Sequence, residues 1–293
     1  MRYIALIVAV VMMAVSAAAQ EYDIKFDRPL KAGVKYKITA LGSASIKSNV
    51  MSGGNQVKSA SQSVSIDFEG QTNIIEVNQD GKPTKKTLQV EKCVLKMGDQ
   101  ESTPLEKGIV ITISPKDTKS IYEVNGAPVD KNLADLLELV EHVYTGSISD
   151  DDVFGSKQKR KVGDSWEIMT DKIPADALRH GVTVDQKNIS GTTKLEKVEK
   201  SDGLECLALS GEMTIKDFTV PLPPNSGMKV ESSAMLTYYT GLFPTNLTTP
   251  CIAETMEMKV QTTISGRQNP NSQEIKVINT VERKSNRKYS WGK

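Results

Sequence analysis

Alternation of apolar and polar residues recurs along this chain and restricts the folds that it can form. Val64, Ile66 and Phe68 are separated by single polar residues, and the same period returns between Met256 and Ile264. Successive side chains of a β-strand point to opposite faces, so each stretch predicts a strand with one buried and one wet face. Sheets of this kind are antiparallel, and we therefore predict a mainly β fold of curved antiparallel sheets.

Turn motifs divide the alternating stretches and suggest an internal repeat. Asp80–Gly81 and Asp202–Gly203 are typical of β-hairpins. The form Gly-x-x-aromatic-x-Ile occurs at Gly33–Ile38 and again at Gly163–Ile168, in the same order relative to the two hairpins. These recurrences predict two related halves, with chance similarity of common turn motifs as the alternative. The polar stretch from Ser48 to Ser59 is expected to be a mobile loop.

One amphipathic helix is predicted from Asp130 to Tyr144. Asp130 is a favourable N-cap residue, and six apolar residues follow at helical spacing. Gly146 is a plausible stop. A helix with one apolar stripe is expected to cover the apolar face of a sheet.

Four segments are expected, beginning with a signal peptide over residues 1–19. It has a basic residue, an apolar run too short to span a bilayer, and small residues before a cleavage point after Ala19. No lipid-anchor cysteine follows, so the protein is expected to be periplasmic or secreted, with an uncleaved anchor as the alternative. An N-terminal β half ending in the helix (20–146), a linker (147–161) and a C-terminal β half (162–293) follow, without a transmembrane segment.

Composition argues against several classes of activity. Without Arg2 the mature chain has equal numbers of basic and acidic residues, whereas nucleic-acid-binding proteins carry a basic surplus. The chain has 2 histidines and no Gly-x-Ser-x-Gly motif. The run Asp150–Asp152 lacks the alternate spacing of a calcium loop and indicates a solvated linker. We therefore expect no catalytic residues, no metal site and no cofactor.

The 3 cysteines permit at most one intramolecular disulfide. Cys206 and Cys251 lie in the same predicted half and are the candidate pair, which would leave Cys93 free. The alternative is that all three are small buried side chains with free thiols.

Two groups of apolar residues are candidates for ligand binding. Leu136, Leu137 and Val140 lie on the stripe of the predicted helix, and the space beneath that helix is the best candidate pocket. Met256 and Met258 lie on the apolar side of one strand and could line an adaptable pocket. Ordinary core packing is the alternative for both groups.

The motif Gly-Asp-Ser-Trp at residues 163–166 and the motif Tyr-Tyr-Thr-Gly-Leu at residues 238–242 resemble a family of uncharacterised exported bacterial β-proteins, a domain of unknown function. The resemblance covers residues 160–285. In architecture it is similar to LolA-type lipoprotein carriers, which implies a curved antiparallel sheet with a helical lid and no assigned catalytic residues.

These observations predict an exported, non-catalytic protein that binds an apolar ligand or a protein partner on a curved sheet. A lipid or an envelope protein is the expected partner. The alternative is an envelope-associated structural or interaction module without a ligand pocket, and a hydrolase is the third hypothesis.

Overall fold

The computed structural model describes residues 20–146, 148–223, 226–267 and 272–292. Over these residues 13 strands form one antiparallel sheet that is not closed, so the predicted mainly β, antiparallel fold is confirmed. The strands are β1 Lys35–Ser52, β2 Asn55–Val77, β3 Pro83–Met97, β4 Gln100–Ser102, β5 Val110–Lys116, β6 Lys119–Val124, β7 Ala127–Pro128, β8 Ser165–Glu167, β9 Ile189–Ser201, β10 Leu204–Lys216, β11 Met228–Pro244, β12 Ala253–Gly266 and β13 Ile275–Trp291.

The chain passes through the sheet from the centre to one edge and then from the other edge back to the centre. The order is β7-β6-β5-β3-β2-β1-β13-β12-β11-β10-β9-β8, with β4 paired to β3. Tyr36 of the central strand β1 lies opposite Trp291 of β13, whereas Trp166 belongs to the edge strand β8. Within the two halves, however, the motifs open equivalent strands, since Tyr36 also pairs with Thr72 of β2 and Trp166 pairs with Thr193 of β9. The two related halves stay a prediction.

The polar stretch Ser48–Ser59 forms the turn end of a β-hairpin, not the expected mobile loop. β1 and β2 pair through it as far as Ser52 and Asn55. Gly53 and Gly54 have φ values of 56° and 83° and make the turn between them. Backbone pairing stabilises these strands although their side chains are polar.

Two hydrophobic cores lie on the same face of the sheet. A row of paired residues crosses it, from Ala40 through Arg287, Glu254 and Gly241 to Leu209. Because directly paired residues point to the same side, Ala40 and Leu209 mark one common face, which we call the core face. The N-terminal core includes Ala40 and packs β1, β2, β3, β5 and β6 against a helical segment. The C-terminal core includes Leu209 and packs β9, β10 and β11 against residues 22–26 and further helical segments.

Three short helices accompany the sheet within the described ranges: α1 Lys131–Leu137, α2 Asp150–Val153 and α3 Ile173–Arg179, with a 3₁₀ turn at Gln186–Asn188. Asp130 caps α1 as expected, since its carboxylate accepts hydrogen bonds from the N–H groups of Asn132 and Leu133. The predicted helix Asp130–Tyr144 is too long, however. After Leu137 the chain tightens into a turn, because the Leu139 N–H bonds to the Leu136 carbonyl.

The expected linker, residues 147–161, contributes to the C-terminal core. Ser149 and Asp152 form a capping box at the start of α2, so the acidic run is the first turn of a helix. Val153 and Phe154 are buried against the C-terminal core. The acidic residues therefore stabilise a helix terminus.

The predicted signal peptide, residues 1–19, lies outside the described residues. Within the described ranges, the helices are all too short or too polar to cross a membrane.

Candidate binding sites

A cavity of about 570 Å³ lies on the core face beside α1, and we call it the α1 cleft. Leu133 and Leu136 of the helix form one side of it, and strands β1, β2, β3 and β13 form the rest. Its volume is within the range of about 300–1,000 Å³ that is usual for small-molecule sites. The apolar lining residues are Ala44, Ile46, Val64, Leu95, Met97, Pro104, Leu133, Leu136 and Val281.

Two apolar side chains of the α1 cleft are unusually exposed. Ile46 is 53% exposed and Met97 is 49% exposed. Ile46 pairs with Val281, which also lines the cleft, and Val281 pairs in turn with Val260 of β12. An apolar strip therefore continues from the cleft across the middle of the sheet.

A buried ion pair fixes the turn that follows α1. The Lys86 ammonium lies 2.7 Å from the Glu141 carboxylate and donates a second hydrogen bond to the His142 carbonyl. The Tyr36 hydroxyl donates to the other oxygen of Glu141 at 2.5 Å. Burial by itself would raise the pKa of Glu141, but the charge and hydrogen bond of Lys86 outweigh it and lower that pKa.

Arg287 joins the same turn to the middle of the sheet. Its guanidinium donates to the carbonyls of Leu139 at 3.0 Å and Glu138 at 3.1 Å. It also pairs with Glu254 at 2.9 Å, and Glu254 accepts a hydrogen bond from the Tyr289 hydroxyl at 2.7 Å. These contacts satisfy carbonyls at the helix end and hold the turn against the core face.

A glycine in β1 allows this turn to approach the sheet closely. A Cβ atom at Gly42 would lie 2.9 Å from the Leu139 Cβ and 2.9 Å from the Ile66 Cγ2. The turn after α1 therefore rests directly on the β1 backbone, at one end of the α1 cleft.

The predicted ligand-binding residues fall into different environments. Leu136, Leu137 and Val140 are all buried in the N-terminal core, and of the three only Leu136 also lines the α1 cleft. Met258 lies on the core face opposite Arg283, a residue of the cleft rim. Met256 is on the same face, and neither methionine lines the cleft. Ligand binding by these residues stays a prediction.

Sequence reasoning missed Ile46 and Arg283 as residues of the cleft. Ile46 shares the alternating period of Ile38 and Ala40, so the pattern of β1 could have placed it on the core face. Arg283 had no comparable signal, since a charged residue normally indicates the solvated face of a strand.

Cys206 and Cys251 are free thiols in the structure, as is Cys93. The disulfide between Cys206 and Cys251 stays a prediction. The Cys206 sulfur contacts the Leu204 carbonyl, while the Cys251 sulfur contacts the carbonyls of Leu242 and Ala253. Each thiol thus has its own backbone partner.

No protein-family model and no curated protein matches the chain. Among solved structures, a lipovitellin structure described as showing lipid–protein interactions aligns with 90% of this chain at 8% identity and a TM-score of 0.36. This chain spans 25% of that one. The outer membrane protein OprG from Pseudomonas aeruginosa aligns with 90% of this chain and 99% of its own, at 10% identity and a TM-score of 0.19. OpdQ from the same organism covers 86% and 97% at 7% identity and a TM-score of 0.20.

TM-scores this low do not establish a shared fold. The resemblance to LolA-type carriers stays a prediction. What the chain does is therefore inferred from its own geometry.

Proposed function

We propose that the protein is an exported, non-catalytic binding protein that holds the apolar chain of a lipid-like ligand in the α1 cleft. The observation that carries this proposal is the exposure of Ile46 and Met97 within a single cavity of about 570 Å³. Exposed apolar side chains that gather in one concavity are typical of ligand sites. Covering them with an apolar chain would remove their surface from water.

The rim of the cleft suits a ligand with a polar end. Gln62, Gln100, Asn132 and Arg283 lie among the lining residues. These groups can hydrogen-bond to a ligand's head while its chain contacts the floor. Ser102 and the acids Glu101, Asp130 and Asp135 also line the cleft, so it offers hydrogen-bond acceptors as well as donors to a polar head.

Two further observations support the proposal over an interaction module that pairs through its sheet edges. The edge strands β7 and β8 have 2 and 3 residues. Edges this short offer little backbone for another strand. Export is supported by the features of residues 1–19, which are typical of signal peptides.

Binding of a dansyl-labelled fatty acid tests the proposal directly. Ile46→Lys places a charge on the floor of the cleft at a site that is already 53% exposed, so the fold should be retained. We expect the probe's Kd to rise about tenfold or more. The new ammonium group must either lose its hydration next to the acyl chain or push that chain out of the cleft. Fluorescence titration of the purified full-length protein measures the Kd.

Val57→Lys is the matched control. Val57 is a 61% exposed β-branched residue on β2 that does not line the cleft. Its substitution should leave the Kd within about twofold, because surface changes are usually nearly neutral. Equal loss of binding in both variants, or no saturable binding to the unmodified protein, would refute the proposal. Native mass spectrometry of the exported protein should also show a co-purifying lipid.

A further inference from the structure

A second cavity, of about 740 Å³, lies on the other side of the turn after α1, and we call it the charged cleft. The two cavities have no lining residue in common. Residues 25–30 form one wall of the charged cleft, and Leu247, Pro250 and Trp291 supply apolar surface on others. The charged cleft is therefore separate from the site proposed above.

Four buried or half-buried acids around this cleft already have partners. Glu254 is paired with Arg287, and Glu141 is paired with Lys86. One oxygen of Asp151 accepts from the Phe26 N–H at 2.7 Å, and its other oxygen lies 3.7 Å from the ammonium of Lys25. Asp27 lies 3.6 Å from the ammonium of Lys82 and accepts from the Asp151 N–H at 3.3 Å.

Arg28 is the exception in the charged cleft, because most of its donors have no acceptor. The residue is 8% exposed and lines the cavity. One terminal nitrogen, Nη2, contacts the Pro244 carbonyl at 3.4 Å. Nε and Nη1 are buried and have no hydrogen-bond partner among the described residues, which leaves three N–H groups without an acceptor there.

A buried guanidinium without a partner is costly, since the charge has lost water and gained little in return. Burial lowers the pKa of Arg28, while the nearby Asp151 acts in the opposite direction. An arginine nevertheless stays protonated in proteins. The cleft therefore contains a fixed positive charge whose donors can be satisfied by an anion that enters the cavity.

We propose that Arg28 anchors a second binding site, which takes a small organic carboxylate. A planar guanidinium matches the geometry of a carboxylate and binds it with short, charge-assisted hydrogen bonds. A single negative charge is favoured over a dianion. Among the described residues, Arg28 is the one Lys or Arg lining the cleft without an acidic partner, and Asp27, Asp151 and Glu254 lie around the same cavity. The apolar walls accommodate a hydrocarbon body next to the carboxylate.

Isothermal titration calorimetry with benzoate, phenyl phosphate and benzamide tests the site. We expect benzoate to bind to the full-length protein about tenfold more tightly than the uncharged benzamide, and phenyl phosphate to bind more weakly than benzoate. Arg28→Met removes the charge and should abolish the preference for benzoate. Arg28→Lys keeps the charge but loses the planar set of donors, and should retain only part of that preference.

Lys25→Met is the control within the same cleft, because Lys25 lines the cavity but is exposed and pairs with Asp151. It should leave the Kd of benzoate within about twofold. In addition, Arg28→Met should unfold at the same or a higher temperature than the unmodified protein without ligand, since it removes an unpaired buried charge.

Three results would overturn the proposal. The first is equal binding of benzoate and benzamide, or binding of neither. The second is a preference for benzoate that persists in Arg28→Met. The third is a loss that is as large in Lys25→Met as in Arg28→Met, which would assign the effect to the general charge of the cleft.

Discussion

Buried charged residues hold the turn after α1 against the core face. Lys86 and Glu141 form a buried pair, so removing one charge leaves the other without compensation. We predict that Glu141→Gln lowers the free energy of unfolding by about 3–5 kcal/mol at neutral pH, as measured by urea denaturation. Asp135→Asn is the control, because its ion pair with Lys131 is exposed and should be worth about 0.5 kcal/mol or less.

The pair of Lys86 and Glu141 should also make the free energy of unfolding depend on pH. The pKa of Glu141 is lowered in the folded protein, so its ionised form stabilises the fold above the unfolded pKa of about 4.3. That contribution is lost as pH falls through the folded pKa. The difference in stability between the protein and Glu141→Gln should therefore shrink below pH 4.3 or so. A difference that stays constant into acid would contradict the role of the charge.

For single residues, the burial of apolar side chains is easier to predict from the sequence than the burial of charged ones. Leu137 and Val140 are core residues, as their helical spacing allows. Lys86 has the same alternating period as Leu88 and Val90 and points to the same face, yet a lysine is normally evidence for the wet face. Only its partner Glu141, 55 residues away, makes its burial tolerable, and that partner is not visible locally.

Between elements, the contact of β1 with the turn after α1 depends on the absence of one side chain. Gly42→Ala adds a Cβ atom 2.9 Å from the Leu139 Cβ, closer than packed atoms can lie. We predict a loss of about 1–3 kcal/mol in the free energy of unfolding, measured by thermal or urea denaturation. Gly292→Ala is the control, since its nearest neighbour would be the Lys35 carbonyl oxygen at 3.6 Å. Equal stabilities for the two variants would contradict this packing.

Element boundaries were harder to predict than element types. The helix was expected because of its N-cap and apolar stripe, but its end depends on tertiary bonds from Arg287 to the Glu138 and Leu139 carbonyls. Likewise the β1–β2 hairpin extends through a polar stretch because its neighbours supply the backbone partners. Neither effect leaves a local sequence signal.

On the scale of the whole molecule, two cores share one sheet, so we expect them to unfold together. Trp166 packs in the C-terminal core and Trp291 packs against the N-terminal core. Trp166→Phe and Trp291→Phe each leave one reporter. For both variants, the urea midpoint from tryptophan fluorescence should match the midpoint from far-UV circular dichroism. Separate midpoints in either variant would show that the cores unfold independently.

The sheet's overall order could not be read from the sequence. Hairpins such as β9–β10 follow from local turn residues, including Asp202 and Gly203 with φ values of 51° and 80°. The pairing of β1 with β13 joins segments more than 200 residues apart and depends on register rather than on any local motif. The two short motifs mark the first strand of each half, β1 and β8, and the two related halves stay a prediction.

The pairing of β1 with β13 also sets an order of events during synthesis. The chain emerges from its N-terminus, so β1 is available early, while the strand that covers its free side is produced last. Until then β1 presents an unpaired backbone edge, which other chains can recruit into aggregates. The pairing at the centre of the sheet therefore forms only when β13 arrives.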